Sequence, residues 1–395
     1  MTSVKEKKRR LMSENAEATL DKPKIVLKPV VGDEFSDNIN ITKAFAGILK
    51  DKKNTATAIK SLTTILPLPG YFKRCSNGKL LLTFFNDQSN QDKGHYLSFT
   101  SQEDLKKYLI DHEFNLELLK HDFLIVTVPK NAPKTKIQAK KASHYWPVNF
   151  HPDLHIEELL SGDFFNSAQL EIIEACMKVC IESARRESIG NDNCNGSTVI
   201  FNPNDGSVGR IIAVAASRLN EHPLWHSAML AVDLVAKMRG RGAWKLITKD
   251  NSDDFSQNLS VDYHKRKLEC QQNPLCYPEC LNSIDIPIFT QTADIKSSIK
   301  YNNDNNDTDC SYLCTSYWAF LLQEPCPLCA MALLHSRVSM IFYGASNKSR
   351  GVLGSKSLLH TLAGLNHRYK VWSSVLEDDC MRIVLEISQR SNKII

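Results

Sequence analysis

Two cysteines three residues apart carry the clearest chemical signal in the sequence. They stand in the run Pro325-Cys326-Pro327-Leu328-Cys329, where a strand-like segment gives way to a helix-like one. Side chains three apart on a helix share a face, so both sulfurs can reach one ion, and the helix N-terminus stabilises thiolates. Two thiolates fill half of a tetrahedral zinc site. The pattern therefore predicts Zn²⁺ as a cofactor, with a further ligand from elsewhere in the chain.

His226 is the natural candidate for that further ligand. It lies near the start of another helix-like segment, which Pro223 opens and which runs to about Arg239. Two helix N-termini that face each other across a sheet edge would bring one imidazole and two thiolates together. We therefore predict His226, Cys326 and Cys329 as metal ligands. The alternative for each is an ordinary buried side chain.

The residue two positions after His226 decides what such a metal could do. The arrangement resembles the signature of the zinc nucleoside deaminases, in which His-x-Glu is followed by Pro-Cys-x-x-Cys and the glutamate carries protons for a zinc-activated water. Here the sequence reads His226-Ser227-Ala228. A methyl group cannot exchange protons, and general acid–base catalysis supplies about 10²–10⁴ in rate. No catalytic residue is predicted, and we do not expect Asp233 or Glu324 to replace the missing glutamate.

Residues 155–372 resemble the deaminase domain of the eukaryotic tRNA adenosine deaminases, which make inosine at the wobble base and belong to the cytidine/deoxycytidylate deaminase-like family. The missing glutamate resembles the non-catalytic subunit of that heterodimer. The matching stretches are 146–151, 222–228, 324–337, 351–355 and 365–369. The resemblance implies a zinc-binding pseudoenzyme that pairs with a catalytic subunit and binds tRNA. It also implies a three-layer α/β/α sheet, with water or a plugging group such as the C-terminus at the fourth metal position.

The alternation of strand-like and helix-like segments predicts an α/β fold class independently. Asn166, with Gln169 three residues later, predicts a helix N-terminus with a capping box. Strands are expected at 197–201, 211–216, 312–322 and 338–343, and helices at 223–239 and 326–337. Such alternation is typical of a sheet covered by helices.

The chain's 395 residues predict one to three domains. The expected parts are a weakly structured tail at 1–40, a small α+β RNA-binding domain at 41–128, a basic linker at 129–154, the deaminase-like domain at 155–372 and a C-terminal extension at 373–395. Residues 240–310 are rich in Asn, Asp and Ser and too long for an ordinary loop, so they are expected to be an insertion.

The insertion contains residues of the types that bind zinc. They are His264, Cys270, Cys276 and Cys280. Their spacing is irregular, so ordinary thiols are the expected interpretation and a second zinc site is the alternative.

Lysines dominate the segment that follows Pro129, and no acidic residue separates them. They are Lys130, Lys134, Lys136, Lys140 and Lys141. Lysines neutralise phosphates without reading base sequence, and folded RNA is recognised mainly by shape and backbone. Together with the resemblance, the segment predicts contact with tRNA. The alternative is a solvated linker.

Composition limits the other possibilities. The net charge of +5 is too small to establish nucleic-acid binding, and 42% apolar residues are enough for a core. The sequence contains no run of about 18 apolar residues, so no membrane span is expected. The basic run at 5–10 is not a secretory signal but a candidate nuclear-import patch. The 12 cysteines are expected to be thiols or metal ligands. These features predict a location in the nucleus and the cytoplasm.

Three functions remain open at this point. The first is a non-catalytic zinc-binding subunit of a tRNA adenosine deaminase. The second is a stand-alone RNA-binding scaffold with a vestigial deaminase fold. The third is an active nucleoside or cytosine deaminase with a relocated acid, against which Ala228 argues.

Overall fold

The computed structural model describes residues 25–86, 96–190, 194, 196–206, 208–238, 240–246, 273–289 and 313–391. The chain divides into two compact units. The smaller unit spans Gly32–Phe164, and the larger unit joins Met1–Val31 to Phe165–Ile395. The first strand, β1 (Lys28–Pro29), belongs to the larger unit. Among the described residues no helix is both long enough and apolar enough to cross a membrane.

The smaller unit is built on a five-stranded sheet. Its strands are β2 (Ile41–Ile48), β3 (Cys75–Ser76), β4 (Lys79–Phe85), β5 (Ser98–Phe99) and β6 (Leu124–Pro129). Its helices are α1 (Thr55–Ile65), α2 (Gln102–Asp111), α3 (Lys136–Tyr145) and α4 (Leu154–Ser161). The strand order is β3-β4-β2-β6, with β5 parallel to β4.

Strand β4 is apolar at successive positions because both faces of this sheet are covered. Leu80 and Leu82 pack with side chains of α1 and α2 in one apolar cluster. Leu81 points the other way and packs in a second cluster with Ala142 and Trp146. Side chains alternate between faces along a strand, so a continuous apolar run is what a strand buried on both sides requires.

Part of the segment expected to be a basic linker, 129–154, is instead folded onto the smaller unit. Thr135 caps α3 by accepting a hydrogen bond from the backbone N–H of Gln138. Gln138, Ala142 and Trp146, four residues apart, form a buried helix face, and Trp146 Nε1 donates to the carbonyl of Lys73 at 2.7 Å. The lysines between these positions make the segment look solvent-exposed in the sequence, so the buried face was not predicted.

The larger unit is built on a seven-stranded sheet in the order β1-β12-β11-β10-β7-β8-β9. The remaining strands are β7 (Ser197–Asn202), β8 (Arg210–Ala216), β9 (Leu275–Tyr277), β10 (Trp318–Gln323), β11 (Met340–Ala345) and β12 (Lys370–Ser373). The helices are α5 (Ser167–Glu187), α6 (Ser227–Met238), α7 (Pro327–His335) and α8 (Glu377–Ser391). Strands β10, β11 and β12 are parallel, and β7 runs antiparallel to β10.

Helices cover both faces of this sheet. On one face, Ala319 and Leu321 of β10 share an apolar cluster with side chains of α6 and α7. Phe320 points the other way and stacks on Phe342, with ring centroids 4.8 Å apart, on the face against which α5 and α8 pack. The predicted three-layer α/β/α fold is therefore confirmed, as is the capping box at Asn166 that opens α5.

The larger unit extends beyond the limits expected for the deaminase-like domain. Residues 373–395 were expected to be an extension, yet they contain α8, whose buried Cys380, Ile383 and Ile387 follow a helical spacing. Strand β1 adds to the sheet edge from within the expected tail by pairing antiparallel with β12. The described part of the 240–310 insertion supplies β9, which pairs in parallel with β8. Residues 247–272 and 290–312 lie outside the described residues.

Candidate metal centre

The three predicted ligands lie at the N-termini of two neighbouring helices. His226 directly precedes α6, and its carbonyl accepts a hydrogen bond from the N–H of Leu230 at 2.9 Å. Cys326 is the N-cap of α7, with Pro327 at the first helical position. Proline suits that position because its fixed φ is helical and its missing N–H has no intrahelical partner there. Cys329 follows one turn later, so both sulfurs emerge at the same end of α7.

The structure brings these side chains together. His226 Nδ1 lies 3.5 Å from the sulfur of Cys326 and 3.5 Å from the sulfur of Cys329. A fourth side chain, Cys194, places its sulfur 3.9 Å from that of Cys329. The four ligand atoms all lie within 4.8 Å of one another. Soft sulfur and imidazole donors in such a group suit zinc.

Sequence reasoning missed Cys194. It stands alone in a polar stretch before β7, at no motif spacing from the other three. Among the described residues this is the one His/Cys/Asp/Glu group that could hold a metal. Cys276 and Cys280 are not part of it, while His264 and Cys270 lie outside the described residues.

Hydrogen bonding among the three thiols divides their protons unevenly. The hydrogen bond from Cys194, followed by that from Cys329, lowers the pKa of Cys326 far below its usual range. Hydrogen bonding to Cys326 raises the pKa of Cys194, and hydrogen bonding to Cys194 raises the pKa of Cys329. A cysteine of lowered pKa beside an imidazole favours the binding of a divalent cation, and a bound cation displaces the protons of the thiols that it binds.

Ala228 occupies the position where a proton carrier would stand. Its side chain is 0% exposed and belongs to the same apolar cluster as Cys326 and Cys329. Ser227, the residue before it, is held by a contact of 2.9 Å between its Oγ and Thr198 Oγ1 of β7.

The two carboxylates that were weighed as replacements for the missing glutamate are engaged elsewhere. Buried Glu324 accepts hydrogen bonds from the backbone N–H groups of Asn347, Leu353 and Ser355 at 2.9–3.0 Å, and from the Ser355 hydroxyl. It therefore holds the 347–355 loop. Asp233 accepts from the backbone N–H of Ala243 and lies 4.0 Å from the ammonium of Lys237 on its own helix.

The predicted RNA-binding lysines all lie in the smaller unit. Lys130 follows β6, Lys134 precedes α3, and Lys136, Lys140 and Lys141 lie on α3; all five are exposed. Lys141 donates from Nζ to the carbonyl of Asp37 at 2.7 Å. That ammonium therefore has a structural contact as well as its charge.

A cleft of about 700 Å³ in the smaller unit has one of these lysines, Lys130, in its wall. Aromatic rings line it together with Lys43 and Lys130; the rings are Tyr71, Phe84, Phe85 and Tyr96. Tyr71 donates from its hydroxyl to the carbonyl of Lys130 at 2.8 Å. Burial, and then the nearby Tyr96, raises the pKa of Tyr71 to about 12. The rings come from three separate places in the sequence, at 71, 84–85 and 96, so no single motif revealed the cleft.

The fold has three layers, and an imidazole and cysteine sulfurs meet at two adjoining helix N-termini with Ala228 beside them. These features define a deaminase-like protein that lacks the proton carrier. No family model matches the chain. A Danio rerio protein named "Probable inactive tRNA-specific adenosine deaminase-like protein 3" is 30% identical over 89% of this chain and 92% of its own length.

Two further relatives are more distant. The Arabidopsis thaliana "tRNA-specific adenosine deaminase TAD3" is 27% identical over 65% of this chain and 72% of its own length. The Schizosaccharomyces pombe "tRNA-specific adenosine deaminase subunit tad3" is 23% identical over 66% of this chain and 62% of its own length. The chain belongs to the family of inactive tRNA-specific adenosine deaminase-like proteins.

Proposed function

We propose that this chain is the non-catalytic, zinc-binding subunit of a heterodimer that converts the wobble adenosine of tRNA to inosine. The observation that carries the proposal is the fully buried Ala228 beside a preserved His/Cys cluster. The sequence keeps the residues predicted to bind metal and lacks the group that moves protons. The names of its relatives, one of them a deaminase subunit and one an inactive deaminase-like protein, support the same assignment.

The proposed zinc site has a structural role in the larger unit. His226, Cys326 and Cys329 would hold the ion, which supplies a cross-link between the starts of α6 and α7. Ser227 anchors the first of these helices to the sheet through Thr198. The 347–355 loop that Glu324 holds comes next to the start of α7, since Val352 N–H donates to the carbonyl of Pro325 at 3.2 Å.

Reconstitution tests the assignment directly. The purified full chain is expected to form no inosine in tRNA by itself, and to support inosine formation when combined with a deaminase subunit that retains His-x-Glu. Inosine is measured by sequencing of the anticodon. Turnover of any nucleoside by the chain alone would contradict the proposal. Failure of any such subunit to co-purify with the chain would favour a stand-alone scaffold instead.

We also propose that the smaller unit binds tRNA through its exposed lysines and the aromatic cleft. Ammonium groups at Lys130, Lys134, Lys136 and Lys140 are exposed and can neutralise phosphates. The rings that line the adjoining cleft offer faces on which an unpaired base can stack, next to Lys43 and Lys130. Positive charge beside aromatic faces is typical of surfaces that bind single-stranded nucleic acid.

Replacing Lys130, Lys134, Lys136 and Lys140 with glutamine is expected to weaken tRNA binding and to flatten its salt dependence. Each lost phosphate contact lowers the slope of log affinity against log salt by about 0.7–0.9. Lys141 is left in place because it contacts the carbonyl of Asp37. Affinity is measured by filter binding across a salt series.

A matched control removes the same charge from another part of the smaller unit. Lys50, Lys52, Lys53 and Lys60 are also exposed, and their replacement by glutamine is expected to have a smaller effect on affinity and slope. Equal effects of both sets would show that only net charge matters, and the proposed surface would then be rejected.

The proposed location is the nucleus and the cytoplasm. It rests on the basic run at 5–10, which lies outside the described residues. Deleting that run from a fluorescently tagged chain would test it.

A further inference from the structure

Cys194 has no counterpart in the motif that identified the other ligands. We infer that Cys194 is a fourth protein ligand, which makes the metal site a closed site of three thiolates and one imidazole with no position for water. The inference rests on the zinc site of the proposed function and states how many protein ligands the ion has there. It distinguishes two kinds of site, because catalytic zinc keeps one position open for water and structural zinc does not.

Three of the six distances among the four ligand atoms match the edges of a zinc tetrahedron, and all six are within 4.8 Å. With zinc–sulfur bonds of ~2.3 Å and a zinc–nitrogen bond of ~2.0–2.1 Å, a regular tetrahedron has edges of ~3.8 Å between sulfurs and ~3.6 Å between sulfur and nitrogen. The sulfurs of Cys194 and Cys329 are 3.9 Å apart. His226 Nδ1 is 3.5 Å from both Cys326 and Cys329.

The backbone around Cys194 explains how its sulfur reaches the other ligands. Gly196, two residues later, has a φ of +116°, and a Cβ there would meet Leu322 of β10 at 2.7 Å. Glycine therefore lets the chain pass close to β10 just before β7 begins. The Gly196 N–H donates to Ser188 Oγ at 2.9 Å, and the backbone of Ser227 hydrogen-bonds to Cys194 at the start of α6.

The surroundings of the cluster are apolar and closely packed. Cys194, His226, Cys326 and Cys329 are each at most 8% exposed. Ala228 and the three cysteines belong to one apolar cluster. A water in a catalytic site needs an open coordination position and polar partners. Here a sulfur takes the fourth corner and a methyl group lies where a carboxylate would hold the water.

Two independent features thus remove deaminase chemistry from this chain. Loss of the carboxylate removes the proton carrier, and Cys194 removes the position from which a metal-bound water could attack. In a closed site no metal-bound water is present for a glutamate to deprotonate, so the side chain at position 228 contributes only to packing.

The test uses the full chain purified without a catalytic partner, so that every metal ion counted belongs to this chain. X-ray absorption of the zinc-loaded protein is expected to show three sulfurs, one nitrogen and no oxygen in the first shell. In the cobalt-loaded protein, Cys194→Ala is expected to reduce the sulfur-to-metal charge-transfer absorption by about one third. Zinc transfer to a chelating dye is expected to be at least about 10-fold faster, since even loss of an outer-shell partner weakens binding by that factor.

Cys176→Ala is the matched control. Cys176 is also fully buried in the larger unit and is not among the four residues of the metal site. Its replacement is therefore expected to change none of these readouts. A wild-type first shell of two sulfurs, one nitrogen and one oxygen would overturn the inference while leaving zinc binding intact. Absence of metal from the wild-type chain, or a disulfide among the cluster cysteines, would overturn both the inference and the zinc part of the proposed function. The wild-type absorption spectrum decides the matter even if Cys194→Ala does not fold.

Discussion

Replacing Cys326 with serine is expected to release the metal and to unfold the larger unit. Zinc binding contributes about 10–16 kcal/mol at neutral pH in zinc-finger peptides, which is comparable to the stability of about 5–15 kcal/mol that typical folded proteins have. Cys326 is a proposed ligand at the N-terminus of α7, where its side chain makes no capping hydrogen bond, and that helix packs on α6 inside the apolar cluster of the larger unit. The loss therefore affects the core and not only the metal.

Metal content and thermal unfolding of the full chain measure this effect. Cys314→Ser is the control, because Cys314 is also buried and is not among the four residues of the metal site. We expect Cys326→Ser to be metal-free and to melt well below wild type or not to fold, and Cys314→Ser to keep its metal. Chelation of the wild-type chain should lower its melting temperature, and added zinc should restore it. A metal-free Cys326→Ser chain that melts like wild type would show that the metal does not stabilise the larger unit.

The sequence predicted those parts of the site that follow from local rules. Cys326 and Cys329 share a helix turn, and His226 starts a helix of its own, so spacing and helix polarity were enough to find them. Cys194 follows no such rule. Its sulfur reaches the others because β7 lies beside β10 in the sheet and because Gly196 permits a close approach to Leu322. Both facts are tertiary and appear only once strand order is known.

The same distinction explains the outcome for the fold. Alternating segments predicted the layered sheet, and Asn166 with Gln169 predicted the start of α5. Composition was a poorer guide at 129–154, where lysines outnumber the buried positions of α3. It was also a poor guide at the C-terminus, where the buried face of α8 is only one narrow stripe among charged residues. Those helices are stabilised by what they pack against, which average composition does not record.

Restoring the missing glutamate is expected to destabilise the chain and not to create a deaminase. The Ala228 side chain is 0% exposed within an apolar cluster. A carboxylate buried there without a partner costs several kcal/mol, or else takes up a proton because desolvation raises its pKa. With Cys194 at the fourth corner of the metal site, the new carboxylate would also have no bound water to act on. Ala228→Glu is therefore expected to lower the melting temperature sharply and to form no inosine.

The assay pairs the Ala228→Glu chain with a catalytic subunit whose own glutamate has been removed, so any inosine must come from this chain. Ala228→Gln separates added bulk from added charge, because both variants have nearly the same size. If charge burial dominates, the glutamate variant should melt below the glutamine variant, and the gap should narrow at low pH where the carboxyl group is protonated. Efficient inosine formation by Ala228→Glu would mean that the metal keeps an open position for water, and the closed four-ligand site would then be wrong. Inosine formed only when Cys194→Ala is added to Ala228→Glu would instead identify that sulfur as the group that closes the site.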